Sequence, residues 1–269
     1  MWASAGADSV APEVVTNSRV VLLGVLLASP AILALDAPAK ENPTVPVGDP
    51  RIDGSFLKPY RNAWKFSYRK PGAEEVLAGI WTDELREDRS RGRRVFVRTQ
   101  EQRDRKERVR TTTVNVFDPK TLAPISMDWK MDAENFNHRE FDGARVRFRR
   151  MAAPAAGVLQ QGDVTLEAPP FDFLGGMYGL IAVALPLAPG FTARIPALDE
   201  RDEVLRWVDL RVTGQDMVEA GPGKRLRAWQ VEASTPDGPM TFWLTRKAPY
   251  VLKLVFHATG GVVWTYTMV

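Results

Sequence analysis

No cysteine occurs in the 269 residues. Its absence excludes disulfides, thiolate metal sites, a cysteine nucleophile and a lipid-modified N-terminal cysteine. Histidine is nearly absent too, with only His138 and His257. A metal centre needs several convergent ligands, and each histidine falls in a segment that reads as strand. A lone strand histidine is expected at the surface or hydrogen-bonded in a core. There is no H-E-x-x-H, G-x-S-x-G, P-loop or dinucleotide-binding glycine motif. The expectation is no metal, no cofactor and no catalytic residue that sequence can name. Charge of one sign is also lacking: 36 Lys and Arg stand against 33 Asp and Glu, a net +3. A nucleic-acid binder carries a clear basic excess, so no nucleic acid is expected as partner.

Long apolar runs are scarce, and the first lies near the N-terminus. Arg19 precedes VVLLGVLLASPAILAL, which ends at Leu35, and Ala37 and Ala39 supply an A-x-A site. A positive residue, an apolar core and small residues beyond it are the parts of a secretory signal peptide. A single membrane anchor is the alternative. Pro30 and the shortness of the run argue against it, since a span needs roughly 20 apolar residues. Residues 1–39 are therefore read as a signal peptide and Lys40 as the mature start, which places the protein in the periplasm or outside the cell. Residues 40–55 hold Pro43, Pro46, Pro50, Gly48 and Gly54. They are expected to form an extended linker or an irregular edge.

The second apolar run is FDFLGGMYGLIAVALPLAPG at residues 171–190. It carries no charge from Phe173 to Leu187 and is too short to cross a bilayer. Asp172 stands where an N-cap would. Pro186 and Pro189-Gly190 stop the run. It is expected to be one buried helix, Leu180 and Leu185 included. The alternative to a fixed plug is a mobile lid over a ligand cavity: Gly175, Gly176 and Gly179 weaken such a helix relative to alanine, and alanine at Gly176 of a lid is then expected to firm the helix and slow ligand entry.

Nearly everything else alternates with period two. Trp64, Phe66 and Tyr68 interleave with Lys65, Ser67 and Arg69, and Met127, Trp129 and Met131 interleave with Ser126, Asp128 and Lys130. Such alternation marks half-buried strands. Further strands are expected at 79–85, 94–99, 109–117, 136–141, 144–150, 164–167, 192–196, 204–213, 225–233, 240–245, 250–258 and 262–269. Asp142-Gly143 between two of them is a hairpin signal. So large an antiparallel sheet twists and curls. The expected fold is mainly β: residues 56–269 as a single domain, a strongly curved antiparallel sheet or incomplete barrel with the hydrophobic helix on its concave side.

Three groups of residues invite a functional reading. Asp199, Glu200, Asp202 and Glu203 are contiguous and include Arg201, so they are expected to form a solvated loop. Arg145, Arg147 and Arg149 alternate along one strand face and form the arginine group least diluted by acids. An adaptor to an anionic envelope surface would use them. Met127, Trp129, Met131, Met177, Tyr178, Trp207, Trp229, Trp243 and Trp264 are the candidates to line a cavity for an acyl chain, because methionine and aromatic rings adapt to flexible apolar ligands. The alternative for all nine is plain core.

Five stretches carry a family resemblance: FDPKTLAPISMDW at 117–129, FDGARVRF at 141–148, APPFDFLGGMYGLIAVALPLAPGF at 168–191, VDLRVTGQDMVEAGPGKRLRAWQVE at 208–232 and FWLTRKAPYVLKLVF at 242–256. Together they resemble an exported bacterial domain-of-unknown-function family, itself similar in fold to periplasmic lipoprotein carrier and sorting proteins. The resemblance implies a curved sheet around a helix, outside the cytoplasm, and a partner that is a hydrophobic small molecule or lipid. It carries over no catalytic residue. The functional expectation is an exported, non-enzymatic binding or envelope-associated protein, first of all a carrier of a hydrophobic ligand. The alternatives are a hydrolase without a recognisable motif and the anionic-surface adaptor.

Overall fold

The computed structural model describes residues 42–131, 135–151 and 158–269. The signal peptide expected at 1–39 lies outside the described residues. Eight strands come first: β1 (Tyr60–Arg69), β2 (Val76–Ser90), β3 (Arg93–Asp104), β4 (Val109–Phe117), β5 (Pro124–Lys130), β6 (Phe136–Asp142), β7 (Arg145–Met151) and β8 (Gln160–Thr165). A π-helical turn, Phe173–Met177, leads into α1 (Tyr178–Ala184). Six more strands follow: β9 (Thr192–Asp199), β10 (Val204–Glu219), β11 (Arg225–Thr235), β12 (Gly238–Leu244), β13 (Val251–His257) and β14 (Val263–Met268).

All fourteen join in one antiparallel sheet, ordered β8 to β1 and then β14 to β9. Two meanders grow outward from a central β1–β14 seam, where Phe66 pairs with Tyr266. The edge strands β8 and β9 do not pair with each other, so the sheet is curved and not closed. Register shifts at Phe66/Ser67, Gln102/Arg103, Val116/Phe117, Val212/Gly214 and Trp243/Leu244 add the local twist that bulges bring.

This order dictates where the helix must go. A chain leaving β8 has to reach the opposite edge before β9 can begin, and residues 166–191 make that crossing on the concave side. The free side of β9 is covered on the way. Phe171 N–H donates to Pro196 O at 2.7 Å, and Val45 N–H donates to Arg194 O at 2.8 Å. Covering an edge removes a template for aggregation. Residues 42–55, expected as linker or edge, are packed onto the fold, with Val45 and Ile52 buried.

The core is uneven. In the β9–β14 half, the inward positions Ile195, Val208, Leu210, Val231, Phe242, Leu254 and Phe256 are all buried and apolar. In the β2–β7 half, polar side chains occupy many of the inward positions, and that difference defines the site.

Candidate functional site

Directly paired residues in an antiparallel sheet share a face, so the register reads out the concave wall. One row runs Leu85, Arg98, Asn115, Met127, Arg139, Phe148 across β2 to β7. The next runs Asp83, Gln100, Thr113, Trp129, Asn137, Arg150. Asp83, Arg98, Gln100, Asn115, Asn137 and Arg139 are all buried. Buried polar groups must be partnered, and most of these find their partners in the crossing segment or in one another.

The crossing segment acts as a plug. All seven residues of α1 are buried without a charge among them. Tyr178 stacks on Phe242 with ring centroids 5.8 Å apart, and Gly179 lets the helix press onto β13, where an added Cβ would come within 2.6 Å of Val251 Cγ2. Beneath it a cavity of about 10 Å³ remains among Trp64, Trp81, Arg98, Tyr178, Val251, Leu254 and Tyr266. That suits roughly one water-sized molecule, whereas ligand sites start near 300 Å³. The apolar wall is therefore occupied by the protein's own helix. Arginines hold the plug at both ends through its backbone. Arg246 donates to Val183 O at 2.8 Å and to Leu185 O at 2.6 Å, satisfying carbonyls that a helix C-terminus leaves free. Arg98 donates to Gly176 O, and its other face is locked to Asp83 by bonds of 2.9 and 2.7 Å.

Asp172 occupies the N-cap position but makes no side-chain cap bond. Instead it turns into the polar half, where Asn115 Nδ2 donates to its Oδ2 at 2.5 Å. Glu200 meets it there, held by Asn137 Nδ2 at 2.6 Å. Arg139 bridges Glu203 at 2.9 Å and Arg150 reaches Glu203 at 3.0 Å. Burial and the neighbouring Glu200 push the Asp172 carboxyl well above the usual carboxylate range, against the opposing pull of Arg139 and Asn115. Burial also raises Glu203, although Arg139 and Arg150 pull it down. The loop expected to be solvated is thus inward for Asp199 and Glu200, which are 3% and 7% exposed, while Asp202 is exposed. The physical reason is that donors meet each of them: Asn137 at 2.6 Å, with Arg139 at 3.8 Å, for Glu200, and the Arg201 N–H at 3.0 Å, with the Arg206 guanidinium at 3.5 Å, for Asp199.

The nine candidate ligand residues do not line one cavity. Met177 and Tyr178 belong to the plug, and Met127 is buried in the polar row between Asn115 and Arg139. Trp129, Trp229 and Trp264 face inward and half-buried, Trp264 lying 5.1 Å from Tyr68. Trp207 and Trp243 point to the other face, beneath Arg194 at 5.6 Å and Lys253 at 4.6 Å. Met131 is 46% exposed past the end of β5. Two rungs of the arginine ladder are matched by acids, Arg145 pairing with Asp163 at 3.0 Å and Arg147 with Glu140, whereas Arg149 lies over the Phe136 ring. His138 pairs with Asp128 at 2.6 Å on the exposed outer face, and His257 is exposed. Sequence reasoning missed Asp83, Arg98, Asn115, Asn137, Arg139 and Arg246. The available signal was polarity at inward positions of alternating strands.

The family described as Protein of unknown function (DUF3108) matches residues 63–264, a stretch that includes all of the motifs quoted above from 117 to 256. No curated protein matches the sequence. Among solved structures, the hypothetical lipoprotein YmcC from Escherichia coli (K12) is similar at 10% identity over 80% of this chain and 85% of that one, with a TM-score of 0.26.

Proposed function

The chain belongs to the DUF3108 family of proteins of unknown function, and from that premise we propose that it is a non-enzymatic binding protein of the bacterial envelope. It takes an acyl chain onto the apolar wall of β9–β14 when the plug swings out. The observation that carries this reading is the way the plug is held. Its ends are tied by Arg98 and Arg246 to backbone carbonyls, and those carbonyls can exchange guanidinium for water without leaving a buried group unpaired. Gly175 and Gly176 on one side and Leu185, ahead of Pro186, on the other are natural hinge positions, because their backbone departs from the helical region there. The face uncovered by such a movement is lined by Val251, Leu254 and Phe242, all buried and apolar. Export rests on the apolar run behind Arg19.

Lipid extraction and mass spectrometry of protein purified from its native host should find an acyl-chain compound in stoichiometric amount. Arg246→Ala should speed uptake of a fluorescent fatty acid by several-fold, since each lost bond to a charged donor is worth about 1.5–3 kcal/mol in full burial and less at a rim. Protein that carries no lipid and ignores the fatty acid, with or without the Arg246 change, would remove the reading.

A further inference from the structure

We infer that Asp172 and Glu200 share one proton at the base of the plug, and that losing this proton unseats the plug's first turn. Each carboxylate has one oxygen engaged by an asparagine of the wall, Asn115 for Asp172 and Asn137 for Glu200. The other two oxygens, Asp172 Oδ1 and Glu200 Oε1, are buried without a hydrogen-bond partner. Both flank the same point. A Cβ added to Gly175 would fall 1.8 Å from Asp172 Oδ1 and 2.6 Å from Glu200 Oε1. Two carboxylate oxygens facing each other in a low-dielectric interior cannot both remain charged. One proton between them turns the repulsion into a hydrogen bond.

The surrounding charges agree. From β6 and β7 come Arg139 and Arg150, and from the β9–β10 turn come Glu203 and Asp199. Asp199 is answered by Arg201 and Arg206 at 3.5 Å each. From β3, Arg98 reaches the turn itself but is already committed to Asp83. Asp172, Glu200 and Glu203 therefore face two guanidinium groups, and one negative charge is in excess. A proton removes it. A metal ion suits the place less well: Arg139 Nε already stands 3.8 Å from Glu200 Oε2, and both asparagines present donors to the carboxylates.

The sign of the pH effect follows. Asp172 is raised in the folded state, so its contribution is complete below the ordinary carboxylate value of about 3.9 and is lost as pH rises through its folded value. Asn115 Nδ2 also donates to Gly175 O at 3.0 Å, so a displaced Asp172 drags the Gly175–Gly176 hinge with it. The consequence for ligand access rests on the plug reading above: acid closes, alkali frees.

Hydrogen exchange of the full chain without ligand, followed by mass spectrometry from pH 5 to 9 and corrected for intrinsic exchange, tests the latch by itself. Protection of peptides spanning 171–185 should fall with pH about tenfold for each unit by which Asp172 is raised, while β12 and β13 hold theirs. Asp172→Asn and Glu200→Gln each imitate the protonated pair and should flatten the profile. Identical profiles in wild type and both variants would overturn the inference. Should neither variant fold, carbon-13 titration of the wild-type carboxyl groups decides. One Asp or Glu resonance titrating above about pH 6 supports the shared proton, and all of them titrating below about pH 5 overturns it. No acyl ligand enters either measurement, so a failure of acyl binding and a failure of the latch are separable.

Discussion

Asp83 and Arg98 are buried to 0% and 2% side-chain exposure, with Tyr60 donating to Asp83 at 2.9 Å. Removing one member of such a pair leaves an uncompensated charge inside, at a cost of about 3–5 kcal/mol, whereas replacing both by apolar groups is often neutral. Asp83→Asn should therefore lower urea stability by that amount, and Asp83→Leu combined with Arg98→Met should recover most of it. A double variant no better than the single one would show that the pair is not the cause. Gly176 is a second single-residue case. Its φ of +114° and the approach of Gln100 Oε1 to within 2.9 Å of an added Cβ overturn the expectation that alanine firms the helix there. Gly176→Ala should instead cost about 1–3 kcal/mol through backbone strain, measured by the same denaturation. A positive φ cannot be read from an apolar run, which records only that glycine is present. The carboxylates were hidden for a different reason: five charged residues in a row from Asp199 look like solvated loop, and only the register of Asn137 and Arg139 reveals donors waiting inside.

At the scale of the element, the plug was legible in its place and character but not in its shape. Apolar composition and the two prolines located it between the strands, and Leu180 and Leu185 are buried as expected. Its regular part is only Tyr178–Ala184, however, because Gly175 and Gly176 leave the helical region before it. Leu185 then turns extended at φ −70°, ψ 160°, since a residue preceding proline is pushed out of the helical region. The helix has no side-chain caps; Arg246 and the Asp53 N–H, which donates to Ala184 O at 3.3 Å, take that role from outside. Arginine on a distant loop gives no local signal of this. Leu180→Ala should cost about 2–5 kcal/mol if the plug is welded core. A displaceable plug shares less of the core, so the loss should lie at the low end of that range and shrink further when fatty acid is added. Denaturation with and without oleate measures both, and a full-sized loss that oleate leaves unchanged would make the helix plain core.

For the molecule as a whole, alternation and turn residues revealed the strands, β4 to the residue, but not their order. That β14 closes onto β1 depends on long-range pairing, and nothing within either strand encodes it. The seam joins the two meanders through backbone pairing and through Tyr266, buried 5.7 Å from Phe66 and 5.0 Å from Trp81. Away from the seam the halves also meet through the crossing segment, seated against both, and through Arg139 and Arg150 of β6 and β7, which pair with Glu203 at 2.9 and 3.0 Å. A chain ending at Gly261 lacks β14, leaving β1 and β13 each with an open edge and removing Tyr266 from between Phe66 and Trp81. It should show no cooperative urea transition at 25 °C. A chain starting at Asn42 keeps every described contact and should unfold like the full protein. A chain starting at Lys58 loses the burial of Val45, Ile52 and Leu57, about 1.5–3 kcal/mol for each side chain by area, and should unfold several kcal/mol earlier. The three midpoints together test the topology. If the chain ending at Gly261 unfolds cooperatively at the midpoint of the full protein, the β1–β14 seam is not what holds the two halves of the sheet together.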